Sequence, residues 1–185
     1  MAHTSDYFES TLAQRVSKGS LGMSGSGRAV RIAAHESLEG VGPLQRVLNE
    51  SSLYSVFQPI VNLGDATIHA HEALIRGPGG SALHTPDALL RAAAIEGLEF
   101  EFEYACVVAA LRAWGKMDVP GRLFVNMSAA ALTQLLTAKG TGELLRQMGA
   151  LGVLPRMLVL EITEHERVED MDALADAVAQ IRSAG

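Results

Sequence analysis

The sequence predicts an α/β fold, a parallel sheet or barrel whose first strand runs antiparallel. Two patterns carry that reading. From Arg122 onward, short apolar runs alternate with amphipathic stretches: Leu123–Asn126, Ala129–Thr137, Gly142–Gly149, Arg156–Ile162, and then Met171, Leu174, Val178 and Ile181 at helical spacing. Alternation of this kind means parallel neighbours, because a parallel crossover needs a dozen or more residues and a helix supplies them. Upstream, Tyr54–Val61 and Thr67–Arg76 read as strands separated only by Asn62-Leu-Gly-Asp-Ala66. A connection that short joins antiparallel neighbours.

The remaining elements follow from local chemistry. Residues 1–40 are expected to be a flexible N-terminal segment: Asp6–Val16 has thin helical periodicity through Phe8, Leu12 and Val16, and Ser17–Gly27 is a Gly/Ser-rich linker. Pro43 suits a first helical turn, and Leu44, Val47 and Leu48 then share one face of a helix ending near Glu50. Gly77–Pro86 is a Gly/Pro loop in which Thr85 can cap a helix starting at Pro86. Tyr104, Val107, Val108, Leu111 and Trp114 mark a core-facing helix over Glu99–Trp114. Ser128 is a good N-cap for the stretch beginning at Ala129, and Gly185 a natural C-cap for the last helix.

Composition narrows the partners. Apolar residues make up 48% of 185 residues with few aromatics, so the core should be Leu, Val, Ile and Ala. The net charge is -6, and the acidic excess lies entirely beyond residue 50. That balance argues against a nucleic-acid polymer, which is bound through clustered Lys and Arg. It suits a small phosphate ligand held by cations, whose site needs carboxylates. Cys106 is the single cysteine, so neither an intrachain disulfide nor a thiolate zinc cluster can form, as fits a cytoplasmic chain. No apolar run reaches the roughly 20 residues that span a bilayer.

Three polar residues embedded in apolar runs are the candidates for chemistry. In a strand, Glu72, Leu74 and Arg76 share one face and Ala73 and Ile75 the other. A Glu and an Arg late in a barrel strand sit where active sites form; the alternative is that Glu72 is a solvent-facing residue of an edge strand. Asn126 ends a second run on the face of Phe124 and Ser128, where it could instead cap the next helix. Glu161 lies within Met157-Leu-Val-Leu-Glu-Ile-Thr163, and a carboxylate on a buried strand must be paired, protonated or bound to metal. Oxygen donors alone favour Mg²⁺ or Mn²⁺ over zinc. His69 and His71 face one side together, opposite Glu72, without a third soft ligand, so they make a poor zinc site.

Phe57-Gln-Pro-Ile-Val61, His71-Glu-Ala-Leu-Ile-Arg-Gly77, Leu123-Phe-Val-Asn-Met-Ser128 and Leu160-Glu-Ile-Thr-Glu164 occur in this order. Together they resemble the EAL domain family, the bacterial cyclic-di-GMP phosphodiesterases. The resemblance runs from about Leu44 to Gly185. It implies a (β/α)₈ TIM-like barrel, here its first half, with residues 41–185 as the N-terminal half of the domain. It also implies metal-dependent hydrolysis of cyclic-di-GMP to linear pGpG, with Glu72, Asn126 and Glu161 as ligands of Mg²⁺ or Mn²⁺. Arg76 would contact a phosphate, Gln58 would lie against the substrate, and Glu164 would support a loop that organises the metals.

The family pattern continues with an Asp-Asp-Phe-Gly strand, a catalytic lysine, a later glutamate and a glutamine, none of which falls within these 185 residues. The general-base region is thus absent from this chain, which is expected to be inactive in this form. A fragment of a longer protein is the favoured account. The alternative is a degenerate, non-catalytic module that binds protein or cyclic-di-GMP. A half barrel would leave the strand around Val159 as an open edge, so self-association or a partner covering that edge is expected. The family often has Leu-Arg-Trp where this chain reads Ile75-Arg76-Gly77-Pro78, a subfamily difference.

Overall fold

Strands β1 (Tyr54–Val61), β2 (Ile68–Arg76), β3 (Arg122–Ser128) and β4 (Leu158–Thr163) form one sheet in chain order. The computed structural model describes residues 40–163, 168 and 170–185. The helix and linker expected before residue 40 lie outside them. β1 and β2 pair antiparallel with Tyr54 opposite Arg76 and Gln58 opposite Glu72, as their short connection requires. The turn between them is built by its own side chains: Asn62 Oδ1 accepts from Gly64 N at 2.9 Å and Asp65 Oδ1 from Thr67 N at 3.0 Å. β3 then runs parallel to both β2 and β4.

Helices fill the crossovers. α1 (Pro43–Asn49) precedes the sheet, α2 (Pro86–Glu96) and α3 (Glu99–Trp114) join β2 to β3, α4 (Ala129–Ala150) joins β3 to β4, and α5 (Met171–Ser183) follows. Thr85 caps α2 by accepting from Ala88 N at 3.3 Å, and Gly97 closes that helix in the left-handed region at φ 63. The two helical stretches expected after Ser128 meet within α4 at a break on Gly140, whose φ of 68 and ψ of 172 are not helical. α1 is capped from a distance, since Glu96 accepts Leu44 N and Gln45 N on its two oxygens at 2.8 and 2.9 Å.

The sheet separates two environments. Phe57, His71, Ala73, Leu123, Val125 and Met127 point towards α3 and α4, where Leu111, Trp114, Leu132 and Leu135 complete the main core. A second cluster joins Leu44, Val47 and Leu48 of α1 to Leu89 of α2 and Phe102 of α3. Each Leu removed from water in this way contributes about 1.5–3 kcal/mol.

Two expectations need correction. The last strand does not begin at Arg156, because Pro155–Met157 forms a 3-10 turn, and it is half-buried rather than buried. Among the described residues, β4 is an outer strand of the sheet, paired on the β3 side only. The last helix ends at Ser183, with Ala184 N bonding Ile181 O, and not on Gly185. α5 buries only Ala177, and Met171, Leu174, Ala175, Val178, Ala179 and Arg182 line a shallow apolar groove along it. Among the described residues, no helix is long and apolar enough to cross a membrane.

Candidate functional site

Pleating delivers the polar residues to the sheet face that the helices leave open. Gln58 stands opposite Glu72, Glu72 beside Phe124, and Asn126 beside Glu161. Because paired residues in neighbouring strands point the same way, Gln58, Glu72, Asn126 and Glu161 share one face. Glu72 belongs to an inner strand of the sheet and is half-buried, so the edge-strand reading does not hold.

Asn126 and Glu72 meet directly: Asn126 Nδ2 donates to Glu72 Oε1 at 2.8 Å. The amide therefore does not cap α4. Ser128 does, its Oγ accepting from Ala131 N at 3.1 Å. The bond to Glu72 commits the NH₂ of Asn126 and leaves its carbonyl oxygen directed elsewhere. Glu161 completes the group. Burial, and then the negative charge of Glu72, hold its carboxyl above the usual carboxylate range. Two half-buried carboxylates that repel each other, with an amide oxygen between their strands, form a donor set suited to a hard cation. Among the described residues no three His, Cys, Asp or Glu side chains converge as a metal cage.

Of the other expected residues, Gln58 is the cross-strand neighbour of Glu72, whereas Arg76 sits apart from the trio. Arg76 is the last residue of β2, four positions and roughly 13 Å of strand beyond Glu72. Its Nη1 donates to Ile75 O at 2.8 Å, folding the guanidinium onto its own backbone. Gln58 lies exposed on the outer strand β1. Glu164 lies outside the described residues. His69 and His71 occupy the helix side of β2, as their spacing requires, and His71 packs on Trp114 with ring centroids 5.5 Å apart.

The departure at Gly77 has a steric cause. A Cβ there would fall 2.0 Å from Leu83 O. The loop folds back so that Gly77 N donates to His84 O and Gly77 O contacts His84 Nδ1, each at 3.1 Å. No side chain fits at that point. Sequence reasoning missed Glu103 of α3 altogether: it accepts Ser128 N at 2.6 Å and Ser128 Oγ at 2.7 Å, at the end of the strand that carries Asn126. Its position between Phe102 and Tyr104, both buried, was the only local hint.

Solved structures share this fold. The EAL domain of FimX from Xanthomonas citri, in complex with c-diGMP, is 19% identical with a TM-score of 0.64, over 85% of this chain and 60% of that one. The YkuI protein of Bacillus subtilis, in complex with substrate c-di-GMP and calcium, is 26% identical with a TM-score of 0.62, over 78% of this chain and 37% of that one. BlrP1 of Klebsiella pneumoniae, in a manganese/cy-diGMP complex, is 24% identical with a TM-score of 0.62, over 72% and 33%. The chain thus spans between a third and three-fifths of these structures' lengths. No curated protein matches it. The half barrel, its antiparallel first strand and the motif glutamate on the open face agree with the match of the EAL domain family model to residues 42–185, and the chain belongs to the EAL domain family.

Proposed function

We propose that residues 41–185 are the cation-binding half of a cytoplasmic EAL-type phosphodiesterase domain for cyclic-di-GMP. One observation carries the reading: the Asn126–Glu72 hydrogen bond with Glu161 in register beside it, on the face that the helices leave open. Glu72, Asn126 and Glu161 would hold Mg²⁺ or Mn²⁺, and the oxygen-only donor set fits such ions. When bound, the cation supplies Lewis-acid stabilisation of charge developing on a phosphoryl oxygen.

The chain's own residues divide the remaining work. Asn126 fixes the rotamer of Glu72 through its NH₂ and keeps its carbonyl available as a ligand. Arg76 releases Ile75 O and donates to a phosphate instead, an exchange that favours the charged acceptor. Gln58, opposite Glu72, presents an amide to the dinucleotide, and Glu164 supports a loop that organises the metals. The reaction adds water across one phosphodiester bond and yields linear pGpG. Three protein ligands are too few to fix two cations, so the 185-residue polypeptide alone is expected to turn over negligibly. The same reading leaves the β4 edge and the α5 groove to be covered by a second copy or another polypeptide.

Calorimetric titration of the purified chain with Mn²⁺, then with cyclic-di-GMP, tests this. Binding of both is expected, and Glu72→Ala should abolish Mn²⁺ binding. Cyclic-di-GMP binding that is absent, or indifferent to both Mn²⁺ and Glu72→Ala, overturns the reading. Binding that persists in the full-length protein without any hydrolysis would favour the non-catalytic module instead.

A further inference from the structure

We propose that Glu103 is a positioning residue for Asn126, holding the end of β3 where strand pairing no longer does. The β2–β3 ladder stops at Ala73–Val125, whereas the β3–β4 ladder continues to Ser128–Thr163. Beyond Val125, β3 is therefore held by a neighbouring strand on one side only, and Asn126 is the first residue in that stretch. Two side chains stabilise it there. Asn126 bonds Glu72 across the gap at 2.8 Å, and Glu103 grips Ser128 through both carboxylate oxygens, at 2.6 Å to the backbone N–H and 2.7 Å to Oγ.

The Glu103 grip suits this task. Both oxygens are engaged by one residue, so Ser128 can neither slide along the strand nor turn about it without losing a charge-assisted bond. The carboxylate also lies at the N-terminus of α4, where unpaired N–H groups favour negative charge, so it needs no cation partner. Ser128 Oγ donates to Glu103 while accepting from Ala131 N, which joins α3, β3 and α4 at one hydroxyl. Asn126 is two residues away, one pleat along the same face. Loss of the grip frees the strand end and lets the amide of Asn126 rotate away from Glu72.

The consequence for metal affinity rests on the assignment of Glu72, Asn126 and Glu161 above; the positioning itself does not. The test compares ¹⁵N-labelled wild-type chain with Glu103→Ala, Glu103→Gln and Glu96→Ala. Glu96→Ala is the control, because Glu96 also grips backbone N–H groups with two oxygens, but at α1. The Asn126 side-chain NH₂ signal, assigned by its loss in Asn126→Ala, is expected to shift and exchange faster in Glu103→Ala and to stay put in Glu96→Ala. Mn²⁺ affinity, followed by electron paramagnetic resonance, should fall roughly tenfold in Glu103→Ala, as it does when groups that orient metal ligands are lost. Glu103→Gln keeps one acceptor oxygen and should fall between the two; it decides the matter should Glu103→Ala not fold. An Asn126 signal identical to wild type in the folded Glu103 variants overturns the proposal. A moved Asn126 signal in a chain that binds no Mn²⁺ at all sustains the positioning role and sinks the metal assignment.

Discussion

Glu161 lies in register beside Asn126, whose amide bonds Glu72, and burial followed by the charge of Glu72 raises the Glu161 carboxyl above the usual range. A carboxylate raised by burial and a like charge costs stability at neutral pH. Glu161→Gln is therefore expected to raise the melting temperature measured in chelator, by an amount corresponding to about 0.5–1 kcal/mol. The same substitution should remove most Mn²⁺ affinity, so the gain in chelator and the loss of metal-induced stabilisation appear together in one pair of melting curves. Wild-type stability in chelator would instead point to a structural role for Glu161. Arg76 illustrates the complementary case, a cation parked on Ile75 O. Arg76→Ala should leave Mn²⁺ binding unchanged and weaken only the dinucleotide.

Between elements, α3 and the second half of α4 are joined by a polar network centred on buried Glu143 and reaching the half-exposed Arg146. Glu143 accepts from Tyr104 Oη at 3.3 Å, Gln147 Nε2 at 3.1 Å and Arg146 Nε and Nη2 at 2.9 and 2.8 Å. Burial alone would raise the Glu143 carboxyl, but these bonds and the Arg146 charge outweigh it and hold it below the usual range. Tyr104 is pushed up to about 12 by burial and then by Glu143. A depressed carboxylate stabilises the fold above its unfolded value near 4.5 and loses that contribution as pH falls through its lowered folded value. Glu143→Ala should thus cost about 1–3 kcal/mol at pH 7 and progressively less below pH 4.5, as read from urea midpoints across pH. The break in α4 makes a second demand. A Cβ on Gly140 would meet no atom within 4 Å, yet its backbone lies at φ 68 and ψ 172, a region nearly confined to glycine. Gly140→Ala should destabilise the chain by roughly 1–3 kcal/mol through backbone strain alone, visible as a shifted urea midpoint with unchanged slope.

At the scale of the molecule, β1 and β4 are the outer strands of the sheet among the described residues. Beyond β4, α5 buries a single residue and carries an apolar groove in which Met171 and Ala175 are exposed. Open edges invite pairing, and each large apolar side chain covered adds about 1.5–3 kcal/mol. The purified 185-residue chain is expected to associate as its concentration rises, by dimerisation, swapping or aggregation. Light scattering across a dilution series checks this. Met171→Glu with Ala175→Lys, both at exposed positions of the groove, should reduce association without lowering the melting temperature. A monomer at every concentration would mean that something within the chain already covers this face.

The order of strands and helices, the antiparallel start, the caps at Thr85 and Ser128 and the face shared by Glu72 and Arg76 were all legible in the sequence. Each depends on periodicity, loop length or capping chemistry that acts over a few residues. The tertiary structure alone decided which oxygen meets which donor. Glu103 and Ser128 are 25 residues apart, Tyr104 and Glu143 39, Leu44 and Glu96 52, and Glu72 and Asn126 54. No local pattern encodes those pairs, because they form only when separate segments pack together. Half-burial of β4 has the same origin, because a strand's exposure depends on what packs against it.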